Sequence, residues 1–107
     1  MANEVEVRFV GWGPDEALVA SARAWSRTLV EGTRRDMRVS VCFRRLPVTS
    51  THTTSVDLRV HTGSEELGAV FKADDAHEAL ATSFVTVARN LHRASSKLNG
   101  SVPDEPT

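Results

Sequence analysis

The residues of this 107-residue chain best equipped to do chemistry are its arginines. Arg89, Arg93 and Lys97 recur every four residues, and from Ala79 to Gly100 there is no acid to neutralise them. Arg23 and Arg27 repeat the spacing nearer the amino end, while Arg38 and Arg44 stand in an alternating run between them. Guanidinium groups donate paired hydrogen bonds to phosphate oxygens, so evenly spaced, unpartnered arginines suit a polyanion. A solvated helix ordinarily mixes signs to gain i,i+4 pairs, which makes the acid-free stretch the strongest of these signals. From the residues alone Arg23 and Arg27 read more readily as a solvated helix face than as a phosphate-binding pair. The same two readings are open for Arg34 and Arg35, which flank a turn, and for Arg44 and Arg45, which end a strand.

Other chemistries have weaker claims. Asp74, Asp75 and Glu78 sit at a helix start, where capping accounts for all three. His77 lies beside them, yet no serine or cysteine nucleophile stands in a recognisable motif around it, and no glycine loop is built to cradle phosphate. The four histidines, at 52, 61, 77 and 92, are too dispersed for a ligand motif, and Cys42 is the only cysteine. No disulfide, metal or other cofactor is therefore expected, and no small-molecule substrate. An enzyme is the least expected class.

The arginines matter because the average charge hides them. Thirteen basic against fourteen acidic residues give a net charge of -1, which alone argues against a nucleic-acid partner. From Ala20 to Val60, however, eight arginines face three acids, a local excess of +5. The 40% hydrophobic and 25% charged fractions are those of a folded domain. No apolar run nears the roughly 20 residues of a membrane span, and MANEVEVRFV lacks the pattern of a secretory signal. A cytoplasmic protein without membrane contact is expected.

The elements that must hold these side chains follow from periodicity. EVEVRFV alternates as a half-buried strand, with Val5, Val7 and Phe9 on one face. Pro14, Asp15 and Glu16 suit the first turn of a helix that runs to about Val30 and stops at Gly32. Its apolar stripe is Leu18, Ala22, Trp25 and Leu29, with Arg23 and Arg27 opposite. MRVSVCF is the second strand, ended by Pro47, and SVDLRVH the third; VTSTHTTS between them is open between a hairpin loop and a frayed strand start. LGAVFKA is the fourth. The second helix opens at DDAHEAL, where Asp75 caps and Glu78 reaches back, and ends at Asn99 and Gly100. Leu80, Phe84, Val87 and Leu91 form its apolar stripe. Trp25 and Phe84 are read as core, and Trp12, in a Gly-Trp-Gly turn, as a cover for the core edge.

The fold class is α+β, a two-layer sandwich in the order β-α-β-β-β-α with both helices on one face of a four-stranded sheet. The other face stays wet and carries Arg8, Arg38, Arg44, Arg59 and Lys72 beside Glu6 and Asp57. One domain spans residues 1–100, and 101–107 form a disordered acidic tail.

The order of elements, and above all Val56 to Leu98, resembles the ribosome hibernation promoting factor and ribosome-associated inhibitor family. The most specific stretch is KADDAHEALATSFVTVARNLHR, similar to the family's acidic-acidic-x-aromatic start to the last helix and its amphipathic, basic continuation. Asp74, Asp75, Ala79, Leu80, Arg89 and Leu91 fit the pattern. His77 stands where tyrosine is common, and Thr86 and Ala88 stand where charged residues are usual. The resemblance implies a domain similar to double-stranded RNA-binding domains that occupies the small ribosomal subunit, on its 16S-type rRNA near the decoding region, and blocks tRNA and messenger RNA. It implies the short form of that family, a translation regulator of the stress response. On that basis Arg23, Arg27, Arg38, Arg44, Arg89, Arg93 and Lys97 are the expected RNA-binding residues of a monomer or weak dimer. The rival expectation is a protein-interaction module of the same fold, docking through the exposed sheet or Trp12 without ribosome binding.

Overall fold

A computed structural model describes residues 4–34, 36–63 and 65–98, with side chains as far as Arg93. Its elements are β1 (Glu4–Val10), α1 (Glu16–Thr33), β2 (Arg38–Arg45), β3 (Thr54–His61), β4 (Glu66–Ala73) and α2 (Ala76–Leu98). Lys97 as a side chain, Arg35, the expected helix stop at Asn99 and Gly100, and the tail 101–107 lie outside the described residues.

Strand order is β1-β2-β3-β4, with β1 parallel to β2 and the other pairs antiparallel. The parallel pair follows from lengths. An α1 of 18 residues spans about 27 Å, close to the roughly 25 Å of a seven- or eight-residue strand. The chain is thereby carried back to where β1 began, and Glu4 lies beside Arg38. β2, β3 and β4 then follow as a meander. The loop between β2 and β3 is closed by the Leu46 N–H donating to the Thr53 carbonyl at 2.8 Å, with a Pro47–Ser50 turn inside it. Of the undecided VTSTHTTS stretch, Thr54 and Ser55 therefore belong to β3 and the remainder to the loop.

Register aligns the apolar faces into rows across all four strands. Val5, Val39, Val60 and Leu67 form one, Val7, Val41, Leu58 and Ala69 the next, and Phe9, Phe43, Val56 and Phe71 the third. Both helices cover this face, with α1 toward β1 and α2 over β3 and β4. The two-layer sandwich expected from the sequence is the one observed. Leu18, Ala22 and Leu29 of α1 and Leu80, Phe84, Val87 and Leu91 of α2 are buried against the central strands. Trp25 stacks on Phe84 with ring centroids 5.8 Å apart; Phe84 is in the core as expected, whereas Trp25 is half-buried against it. Burial of this apolar face is the main term holding the layers together.

Both ends of α1 differ from expectation. Pro14 lies outside α1, and Asp15 is the N-cap: its Oδ1 accepts the N–H groups of Ala17 and Leu18 at 3.0 and 3.2 Å. Gly32 does not stop α1. The helix continues through Thr33 and closes at Arg34, which takes the left-handed conformation (φ 57°, ψ 38°) so that its N–H reaches the Val30 carbonyl. At the start of α2, Asp75 alone caps, accepting the His77 N–H at 2.9 Å. Asp74 instead holds the β2–β3 loop, accepting the Thr53 N–H on Oδ1 at 3.2 Å and the Thr53 hydroxyl on its carbonyl at 3.1 Å. Among the described residues Glu78 makes no return bond.

Candidate nucleic-acid interface

Strand parity decides which charges share a surface. On the open face of the sheet, register places Glu4, Arg38, His61 and Glu66 in one row, then Glu6, Ser40, Arg59 and Gly68, then Arg8, Cys42, Asp57 and Val70. Each of these rows contains an acid, and the charges find one another. Arg38 Nε lies 3.2 Å from Glu4, Arg59 Nε 3.3 Å from Asp57, Arg59 Nη1 3.9 Å from Glu66, and Arg8 Nε 3.9 Å from Glu6. All are solvent-exposed, so each contributes about 0–1 kcal/mol, but together they set the charges of these three rows against one another. The fourth row, Val10, Arg44, Ser55 and Lys72, has no acid. Among the described residues, neither Arg44 nor Lys72 has an ion-pair partner.

The helical layer is organised otherwise. Arg23 and Arg27 are exposed on α1 one turn apart and line the groove between α1 and the β1–β2 side of the sheet, with Glu4, Glu31 and Met37 in the same groove. Arg89 and Arg93 are exposed one turn apart on α2. None of these four makes an ion pair among the described residues. A second groove, between the helices, is largely apolar: Trp25, Leu29, Phe84, Val85 and Ala88 line it, and among the described residues no arginine does. The six expected RNA-binding residues whose side chains are described thus do not form one patch. Arg38 and Arg44 lie on the sheet, Arg23 and Arg27 on the margin of the helical layer toward β1, and Arg89 and Arg93 on α2.

At the end of the sheet nearest Arg44, Trp12 folds over the core edge as expected. Its ring meets Phe9 and Phe43 edge-on at centroid distances of 5.5 and 6.4 Å, and the Arg45 guanidinium lies 4.6 Å above it. Arg45 is therefore committed to a cation–π contact. This approach of chain to chain depends on Gly11, at φ 91°, whose pro-Cβ position is 3.1 Å from the Arg45 Cβ. The Arg45–Trp12 pair leaves no mark in the sequence, because it joins the ends of two strands whose relative register is not a local property. His77 Nδ1 lies 3.5 Å from the Ser21 hydroxyl of α1 on an exposed face. Among the described residues no three His, Cys, Asp or Glu side chains converge to hold a metal ion, and no helix is long and apolar enough to cross a membrane.

No protein-family model matches the sequence, and no curated protein is significantly similar to it. Solved structures do match in shape. The N-terminal domain of protein Y from Thermus thermophilus superposes with a TM-score of 0.70 at 9% identity, covering 87% of this chain and 98% of that one. A ribosomal subunit interface protein from Coxiella burnetii gives 0.68 at 13% identity, with the same coverages. At such identities the shared property is the fold, and this chain has the fold of those two domains.

Proposed function

We propose that this chain is a ribosome-associated translation inhibitor of the hibernation type, binding small-subunit rRNA near the decoding region. The observation that carries the reading is the set of exposed arginines without ion-pair partners, Arg23, Arg27, Arg89 and Arg93, on the helical layer of a domain whose sheet arginines are largely paired. The fold shared with a ribosomal subunit interface protein and the resemblance of Lys72 to Arg93 to the hibernation family support it.

The mechanism is occupancy. Arg89 and Arg93, one helical turn or about 6 Å apart along α2, bind separate phosphates, and the α1 pair and Arg44 add contacts from other sides. Shape, more than base identity, sets the docking position, as in recognition of double-stranded RNA. No bond is made or broken, so the protein is not an enzyme on this reading and needs no cofactor. It would act in the cytoplasm, under stress, while translation is idle.

Co-sedimentation of the purified protein with small ribosomal subunits across a salt series tests this. Replacing Arg89, Arg93 and Lys97 with alanine should weaken binding at every salt concentration and reduce the log–log salt slope by about one for each phosphate that the variant no longer neutralises. Arg59→Ala, which removes an already paired cation, should change little. Binding that ignores salt and the triple substitution would sink the proposal. The rival, a protein-interaction module, draws support from the apolar groove between α1 and α2, where Val85 is 46% exposed. It gains nothing from Trp12, which is engaged at the core edge.

A further inference from the structure

β4 closes the sheet on the side away from β1 and, among the described residues, pairs with β3 alone, over eight consecutive residues without a bulge. Its outer edge therefore offers a row of backbone N–H and C=O groups to another strand. Edges of this length are ordinarily protected by proline, a bulge or charges along the strand. ELGAVFKA has no proline, and its only charges, Glu66 and Lys72, stand near its two ends. Between them the open face carries Gly68 and Val70, which is 56% exposed.

The sequence of β4 is its own antiparallel complement. About a twofold axis through Ala69, a second copy sets its Lys72 opposite Glu66 and its Val70 opposite Gly68 on the open face. On the covered face Leu67 meets Phe71, both half-buried members of the rows that run across the sheet. Opposite charges and apolar pairs facing one another across strands are the stabilising unit of a sheet. Lys72 has no ion-pair partner within the described chain, so it is available for this use. β1 lacks the property: pairing about Val7 would set Glu6 against Arg8, which already face one another within the strand, and would leave Glu4, held by Arg38, opposite Val10.

The helical layer permits the join. α2 lies over β3 and β4, and strands are spaced about 4.8 Å apart. The two copies of α2 would then stand two strand spacings from each other, roughly 10 Å, the separation at which helices pack. We propose that this chain forms a twofold dimer through β4, joining two four-stranded sheets into one of eight strands with all four helices on one face. The contact is isologous and closes on itself, so assembly stops at two, whereas pairing of β1 on β4 would be heterologous and open-ended.

Sedimentation velocity of the full chain from micromolar to millimolar concentration tests the proposal, with hydrogen exchange read at both edges. The mass should rise with concentration from monomer to dimer and no further, and amides from Gly68 to Phe71 should gain protection as it does. Lys72→Glu should raise the dimer dissociation constant about tenfold or more, as should Glu66→Lys, while the double reversal restores it to within about threefold. Glu66 also lies 3.9 Å from Arg59, so Lys72→Glu is the cleaner variant. A thermal melt of each variant confirms that it is folded. A monomer at all concentrations, a dimer indifferent to the single reversals, growth beyond two copies, or protection at β1 instead of β4 would each overturn the proposal.

Discussion

Gly11→Ala and Gly32→Ala are the same chemical change, and their surroundings give them opposite signs. At Gly11 the backbone has φ 91°, where an L side chain costs about 1–2 kcal/mol. The new Cβ would also stand 3.1 Å from the Arg45 Cβ. That atom is fixed to β2 beside Thr54 and cannot swing away, so relief requires the end of β1 to shift. The Phe9–Phe43 stack, at 5.1 Å, and the Trp12 edge contacts would shift with it. Crowding of this kind costs about 1 kcal/mol or more. The smaller freedom of the unfolded chain returns about 0.4–1 kcal/mol, leaving a net destabilisation near 2 kcal/mol. At Gly32, inside α1, an added Cβ meets nothing within 4 Å. Alanine there should stabilise the fold by about 0.5–1 kcal/mol. Urea unfolding and thermal melts measure both. At about 4–8 °C per kcal/mol for a domain of this size, Gly11→Ala should melt roughly 8–16 °C below the parent and Gly32→Ala several degrees above it. A Gly11→Ala variant as stable as the parent, or two shifts of the same sign, would refute the reasoning.

Three further outcomes are expected from the same measurements. Asp15→Ala removes the acceptor of two N-terminal N–H groups of α1 and should cost about 1 kcal/mol, whereas Asp15→Asn, which keeps a capping side chain, should cost no more than a few tenths. Arg34→Gly relieves the left-handed residue that closes α1 and should stabilise the fold by about 1 kcal/mol, read as a raised melting temperature. Phe84→Ala empties a fully buried site stacked on Trp25 and should cost about 3–5 kcal/mol, read as a fall in the urea midpoint with the slope unchanged.

The strands were legible in the sequence because their signal is local. Alternation over 4–10, 37–43, 55–61 and 67–73 matches the observed strands to within two residues at every end. The stop of α1 was not legible in the same way. Gly32 carries the usual mark of a helix end, yet the chain ends α1 where the Arg34 N–H can reach Val30, at a residue with no such mark. Asp74 and Asp75 look alike in sequence, and only the return of the β2–β3 loop to the start of α2 separates an anchor for Thr53 from a cap. The arginines show the same division. Their spacing on α1 and α2 survives in the structure unchanged, whereas the pairing of Arg38 with Glu4 depends on β1 lying parallel to β2, which no neighbouring residue announces.

That division leaves a chain of net charge -1 with exposed arginines that no acid pairs among the described residues. On the open sheet face, acids of β1, β3 and β4 fall into register with the arginines of β1, β2 and β3, so the field of each pair is short-ranged and is screened further within a Debye length of about 8 Å at physiological salt. The row of Arg44 and Lys72 escapes because Val10 and Ser55 are its other members. On α2 the acids gather at the amino end, Asp75 as the cap and Glu78 in the first turn near the positive end of the helix dipole, and Arg89 and Arg93 lie beyond them. Folding thus pairs Arg8, Arg38 and Arg59 with acids and leaves Arg44 and Lys72 on the sheet, and Arg23, Arg27, Arg89 and Arg93 on the helices, without ion-pair partners among the described residues. On the proposed reading a docking polyanion would be attracted by the arginines of both helices but would meet Glu4 and Glu31 beside Arg23 and Arg27, which leaves Arg89 and Arg93, in a stretch of α2 without acids, as the stronger pair.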